Sequence, residues 1–258
     1  MIETLREDSK TRFSKRSEYY SKYRPRYPEG ILQFMRQELG FDEASVIADV
    51  GSGTGILSEL FLRHGNTVFA VEPNREMRGA AEELLVKYPK FKSVQGTAEA
   101  TTLLAASVDF VTAAQAFHWF DPAKAKAEFS RILKPSGWVL LIWNVRKVST
   151  PLMQDYEALV NEYAKRSFAR RTAKDRVGED GLRNFLSQYC EKRFGNSQVL
   201  DFEGLKGRLL SSSYVPLPGE DRYDLMLADL RRMFDSYQTD GVIHLDYETE
   251  VYYAQHSY

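Results

Sequence analysis

Residues 46–55 read VIADVGSGTG, a short apolar run that stops in three glycines at alternate positions. The run is too short for a helix and rich in β-branched residues, so it reads as a buried strand. One or two glycines would make a tight turn. Three in alternation strip the main chain of side chains where it leaves the strand, which suits a backbone that must approach a ligand closely. A dinucleotide loop is spaced G-x-G-x-x-G and needs a small residue where this chain has Ile56, so the loop does not fit a pyrophosphate cradle.

Outward from this stretch, short β-rich runs alternate with helical patterns. The candidate strands are 46–50, 67–71, 91–95, 108–113 and 137–143, separated by helical stretches that include ILSELFLRHG and REMRGAAEELLVKYP. Connections of that length imply mostly parallel pairing, and strands apolar on both faces imply a sheet covered by helices on both sides. From about 149 the pattern becomes helical and polar over 151–177 and again over 181–195, with no β-run between or within them. A possible strand at 197–203, a helix at 221–237 and a last long strand at 242–255 follow. The expected organisation is an N-terminal arm (1–28), a doubly wound α/β core (29–148), a helical insertion capping the ligand edge (149–210) and a C-terminal part completing the sheet (211–258).

The chain of 258 residues is 43% hydrophobic, enough to bury a sizeable core. Acids and bases nearly cancel, 36 against 35, so no overall field steers a polyanion or an anionic membrane. Cys190 is the single cysteine and no Cys/His cluster has metal-ligand spacing, which predicts a reducing compartment and no metal. The first twenty residues lack the apolar core of a signal peptide, and the longest apolar runs, such as WVLLIW at 138–143, are far too short to span a bilayer. These features predict a cytoplasmic protein with no membrane partner.

Glu72 closes the second strand, where a carboxylate can accept hydrogen bonds from both hydroxyls of a ribose. An acidic residue two before G-x-G-x-G, here Asp49 before Gly51, Gly53 and Gly55, resembles the first motif of the class I S-adenosylmethionine-dependent methyltransferases. That resemblance implies a Rossmann-like, mostly parallel seven-stranded sheet and S-adenosylmethionine as cofactor. It further implies that the loop backbone, with Ser52, meets the methionine portion, that Asp49 orders the loop around the ammonium group, and that Glu72 and Pro73 meet the ribose. The segment QGTAEATTL at 95–103 resembles the family's adenine segment, with the amide of Ala98 on the ring and Thr97 or Glu99 on the amino group. Gln115, His118, Trp119 and RILKPSGW at 131–138 resemble the small-molecule branch, which includes quinone-ring and trans-aconitate methyltransferases. FSKRSEYYSKYRPRYP at 13–28 and SSSYVP at 211–216, with Tyr214, resemble the trans-aconitate type.

The expected partner is therefore a small-molecule acceptor, acidic or oxygen-bearing. Arg24 and Arg146 are candidates to hold its carboxylate. Tyr19, Tyr20 and Tyr23 lie near one helix face in the arm and read either as a packing stripe or as a lid with Arg24. Trp119 reads as pocket wall. His118 is either a general base or a packed wall residue. Nucleic-acid methylation is the rival reading, prompted by basic runs at Lys10, Arg12, Lys15, Arg16, Lys22, Arg24 and Arg26 and at Lys165, Arg166, Arg170, Arg171, Lys174 and Arg176. The chain lacks the Asn/Asp-Pro-Pro-aromatic motif after the fourth strand, and Cys190 falls in the insertion, so nucleic acid is the weaker partner. A module that binds the cofactor without catalysis is the third reading, separable by label transfer.

Overall fold

The computed structural model describes residues 17–164, 178–212 and 214–256. Residues 1–16, with Lys10, Arg12, Lys15 and Arg16 of the arm, and the basic run from Lys165 to Arg176 lie outside the described residues. After helices α1 (Ser17–Tyr23) and α2 (Gly30–Glu38), the chain alternates β1 (Val46–Val50), α3 (Ile56–Arg63), β2 (Thr67–Val71), α4 (Arg75–Leu85) and β3 (Phe91–Val94). It continues through β4 (Val108–Ala114), a 3₁₀ turn (Phe117–Trp119), α5 (Pro122–Ile132), β5 (Leu133–Arg146) and α6 (Pro151–Tyr163). Then come α7 (Glu179–Leu186), β6 (Cys190–Leu200), α8 (Phe202–Leu210), α9 (Tyr223–Tyr237) and β7 (Ile243–Gln255). No helix among the described residues is long and apolar enough to cross a membrane.

The seven strands form one sheet in the order β3-β2-β1-β4-β5-β7-β6. The pairs β1/β2, β2/β3, β1/β4 and β4/β5 are parallel. The chain builds outward from β1 to β3 and then returns to lay β4 on the other side of β1. This reversal opens a crevice at the carboxyl ends of β1 and β4, where open α/β sheets place their ligands. Helix starts are fixed locally: Asn74 caps α4 by accepting from Met77 N–H at 2.9 Å, and Thr150 caps α6 by accepting from Met153 N–H at 3.3 Å.

The helical expectation for 187–195 is overturned. Helix α7 stops at Ser187, whose φ is +59°, and Cys190 starts a strand. The burial of β6 alternates from residue to residue along most of its length, the period of a strand. It lies at the sheet edge, where charged residues such as Glu191, Lys192 and Arg193 are tolerated, and their polarity masked the period in the sequence.

Two compact units divide the described chain. One comprises Arg26–Asn144, the described part of Thr172–Phe194 and the stretch from Thr249 on. Its core gathers Ile31, Phe34, Ile47, Phe61, Phe110 and Leu140 around β1, β4 and β5. The other comprises the described parts of Met1–Pro25, Val145–Arg171 and Gly195–Glu248, with a core of Met153, Tyr156, Leu205, Leu230, Leu245 and Tyr247. In the second unit α1 lies on α8 at Gly207, where a β-carbon would stand 2.3 Å from the Tyr23 ring. Tyr19 stacks on Tyr23 with centroids 6.2 Å apart. Gly207→Leu should therefore expel α1: limited proteolysis is expected to cut within residues 17–25 ahead of the rest, with stability lowered by roughly 1–3 kcal/mol, the usual cost of overpacking.

Candidate functional site

The glycine loop is bound to the end of β2. Gly51 and Ser52 donate their N–H groups to the carbonyl of Val71 at 2.8 and 3.2 Å. Gly53 N–H donates to Glu72 Oε2 at 2.9 Å, and Asn74 N–H donates to Oε1 at 2.8 Å. Burial pushes the Glu72 carboxyl up, against the two backbone N–H groups and Arg78, which lower it. The three glycines have φ of +68°, +58° and +81°, a region closed to most side chains. A β-carbon on Gly51 would stand 2.6 Å from that of Ala116, so the loop also closes against the segment after β4. Within the loop the hydroxyls of Ser52 and Thr54 are buried with no hydrogen-bond partner among the described residues. Such orphaned polar atoms, beside bare backbone and a carboxylate, fit a ligand rich in hydrogen-bonding groups.

Asp49 is set behind this surface. It is 1% exposed, accepting from Ser58 Oγ at 2.6 Å and Thr112 Oγ1 at 3.3 Å, and so ties β1 to α3 and β4. Burial is the main cause that raises its carboxyl to about 6, the hydroxyls pulling the other way.

The remaining cofactor candidates sit on three further segments of the same unit. Glu72 is followed by half-buried Pro73. Thr97 and Ala100 exchange backbone hydrogen bonds at 3.1 and 3.2 Å, making a tight turn in which Ala98 is buried. Glu99 accepts from Asp121 N–H at 2.8 Å, which ties the turn to the start of α5. Glu128 anchors the turn from below, accepting from Thr101 N–H and from Arg131 at 2.8 Å each. Arg131 holds the Glu128 carboxyl down to about 2, assisted by Thr101. Gln115 follows β4 with φ +57° and donates from Nε2 to the carbonyl of Asn144 at 3.0 Å. His118 and Trp119 are half-buried with ring centroids 4.9 Å apart, on a turn held by Phe117, which packs 4.5 Å from Phe185. All these candidates therefore share one unit.

The residues assigned to the substrate or a lid fall in the other unit, apart from Trp119. Arg24 donates to the carbonyl of Ser211 at 2.9 Å. Arg146, its side chain 10% exposed, pairs with Glu157 through Nε and Nη2 at 2.8 Å each, while Nη1 lies 3.5 Å from the Tyr214 hydroxyl. Burial pushes Tyr214 up, but Arg146 and Arg208 outweigh it and bring its hydroxyl down to about 8. Sequence reasoning missed Ser58, Glu128, Glu157 and Arg208. The last had a signal: Arg208 stands three and four residues after Leu205 and Gly204 on a buried helix face, a position where a charge is out of pattern.

The model of the methyltransferase domain family matches residues 48–141, which hold the glycine loop, Glu72, the 97–100 turn and Gln115 to Trp119. An uncharacterized methyltransferase-like protein of Schizosaccharomyces pombe is 30% identical over 242 residues, 92% of each chain. An uncharacterized methyltransferase of Mycobacterium tuberculosis is 38% identical over 127 residues, 49% of each chain. Among solved structures, an assigned type II methyltransferase from Anaeromyxobacter dehalogenans shares the fold, with a TM-score of 0.67, 21% identity, and coverage of 90% of this chain and 98% of that one. The chain belongs to the class I S-adenosylmethionine-dependent methyltransferases, enzymes whose methyl donor, S-adenosylmethionine, is the cofactor here.

The buried aspartate gives a pH test. Its folded pKa of about 6 lies above the ordinary 3.8, so the folded state binds the proton more tightly, and this group's contribution to stability falls as pH rises from about 4 to about 6. The loss amounts to about 3 kcal/mol at neutrality. Asp49→Asn removes it: urea denaturation without cofactor should show the variant gaining on the parent between pH 4 and 7, whereas a constant difference would place the carboxylate in water.

Proposed function

We propose that this enzyme methylates a small organic acceptor carrying an acidic or other oxygen group, by in-line displacement. The observation that supports this is Arg146, whose side chain is only 10% exposed and lies beside Tyr156 and Tyr214 instead of being displayed on a basic face. Proteins that read nucleic acid present arginines to solvent phosphates, whereas small-molecule sites surround a few polar groups with aromatic walls. The exposed free thiol of Cys190 suits a reducing compartment, and we assign the enzyme to the cytoplasm.

When bound, S-adenosylmethionine supplies an electrophilic methyl group on a sulfonium sulfur. In this reading Gly51 to Gly55 approach its amino-acid part through bare backbone, with the hydroxyl of Ser52 as a further partner. Asp49, behind the loop, offers negative charge toward the ammonium group. Glu72 accepts from the ribose hydroxyls with lone pairs not engaged by Gly53 and Asn74, next to Pro73. The turn of Thr97, Ala98 and Glu99 meets the adenine, and Gln115, fixed in a left-handed conformation, borders the site. Alignment of acceptor and donor and exclusion of water then supply most of the rate. Trp119 forms a wall, Tyr19 and Tyr23 support the acceptor unit, and Arg24 and Arg146 provide its positive charge. His118 removes a proton where the acceptor is a phenol or carbon acid; a carboxylate acceptor needs no base.

Labelled cofactor incubated with pooled small metabolites should pass its label to a small product, and labelling confined to RNA or DNA would overturn the acceptor class. Glu72→Ala should weaken cofactor binding by roughly 1–3 kcal/mol in calorimetry, the worth of charge-assisted hydrogen bonds. His118→Ala should lower turnover roughly 10²–10⁴-fold and remove a basic limb of the pH profile if the acceptor must lose a proton. With a carboxylate acceptor the variant should keep most activity and both profiles should be flat across neutrality.

A further inference from the structure

Arg208 lies on the inward face of α8 and is 3% exposed. Its Nε donates to the Tyr247 hydroxyl at 3.0 Å, and its Nη1 to the hydroxyls of Ser211 and Ser212 at 3.2 and 3.3 Å. These acceptors are all neutral, and among the described residues no carboxylate pairs with Arg208. Glu157, next along the chain from Tyr156, is engaged through Oε2 by Arg146. That pair closes on itself, so Arg208 keeps a full positive charge. Two polar atoms of the same cluster, Tyr156 OH and Glu157 Oε1, are buried with no hydrogen-bond partner among the described residues. Withdrawing a guanidinium from water costs several kcal/mol, which hydroxyl contacts alone do not offset. A buried cation with spare donors, an orphaned phenol and an orphaned acceptor together describe half of a polar network.

We propose that the cluster centred on Arg208, with Arg146, Tyr156, Glu157, Tyr214 and Tyr247, binds the carboxylate of a small organic acid that also bears a hydroxyl. The proposal rests on the acidic-acceptor reading and names the residue that grips the acid. The guanidinium fork matches a planar carboxylate bidentately, and its single charge matches a monoanion better than a tetrahedral dianion. The Tyr156 hydroxyl supplies a donor to the same anion, and Glu157 Oε1 accepts from the hydroxyl of the ligand. Three tyrosine rings give it aromatic walls.

The test is made on the intact protein without cofactor, by thermal unfolding and calorimetry with mandelate, benzoate and succinate. Their methyl esters and inorganic phosphate serve as controls. At least one carboxylate should raise the unfolding midpoint while its ester does not. Arg208→Met replaces the cation with an apolar chain of similar length: the ligand-free midpoint should hold or rise, and carboxylate affinity should fall roughly 30-fold or more. Tyr156→Phe removes only the orphaned hydroxyl, so it guards against misfolding of the first variant; it should keep the midpoint and weaken the same carboxylate several-fold. No response of the parent protein to any carboxylate, an equal response to phosphate, or unchanged affinity in both variants would overturn the proposal. Label transfer to a metabolite by a protein that ignores all three acids would overturn this site and leave the methyl-transfer reading standing. Carboxylate binding without label transfer would do the reverse.

Discussion

The carbonyl of Val71 and the carboxylate of Glu72, both at the end of β2, accept three successive N–H groups from Gly51, Ser52 and Gly53. A loop of glycines has much conformational entropy to lose, so its shape must be imposed by neighbours rather than by its own residues. Here the imposition comes from one strand end. It fixes the path of the loop into α3 and leaves the Gly51 face pressed on Ala116. It also sets Glu72 at the loop, so a single constraint shapes both the bare backbone of the loop and the carboxylate beside it.

The glycine loop and the acid beside it were legible because their demands are local. Strand length, glycine alternation and an acid at the next strand end lie within 46–72, and each follows from backbone chemistry that a sequence displays. The succession of the first five strands was legible for the same reason, since each is a short apolar run and helical stretches separate most of them. What escaped depends on distant partners. Glu128 looks like any exposed helical acid until Thr101, 27 residues earlier in the chain, donates to it. Strand β6 carries Glu191, Lys192 and Arg193 and reads as helix surface, because an edge strand does not need the apolar signature of a central one. The pairing of Arg146 with Glu157 and Tyr214 combines a strand, a helix and a loop, and only Arg146 and Tyr214 were singled out in advance.

The two units handle charge differently. In the unit with the glycine loop, the buried carboxyls of Asp49 and Glu72 are met by hydroxyls and backbone N–H groups and displaced upward by burial, whereas Arg131 holds that of Glu128 down. In the other unit Arg208 is buried among neutral hydroxyls, and a guanidinium stays ionised at any accessible pH. A buried carboxyl can escape its desolvation by taking a proton; a buried arginine cannot, and must find a counter-charge.

The docking of α1 on α8 carries a consequence for how the chain comes into being. Arg24 and its acceptor Ser211 are 187 residues apart. At a synthesis rate of roughly 5–20 residues per second, α1 leaves the ribosome about 10–40 s before its seat exists. During that interval its tyrosines have no partner surface from α8, and the helix is too short to persist alone in water. Helix α1 is thus made well before the helix it packs on, and it waits far longer for that partner than β1 waits for β2.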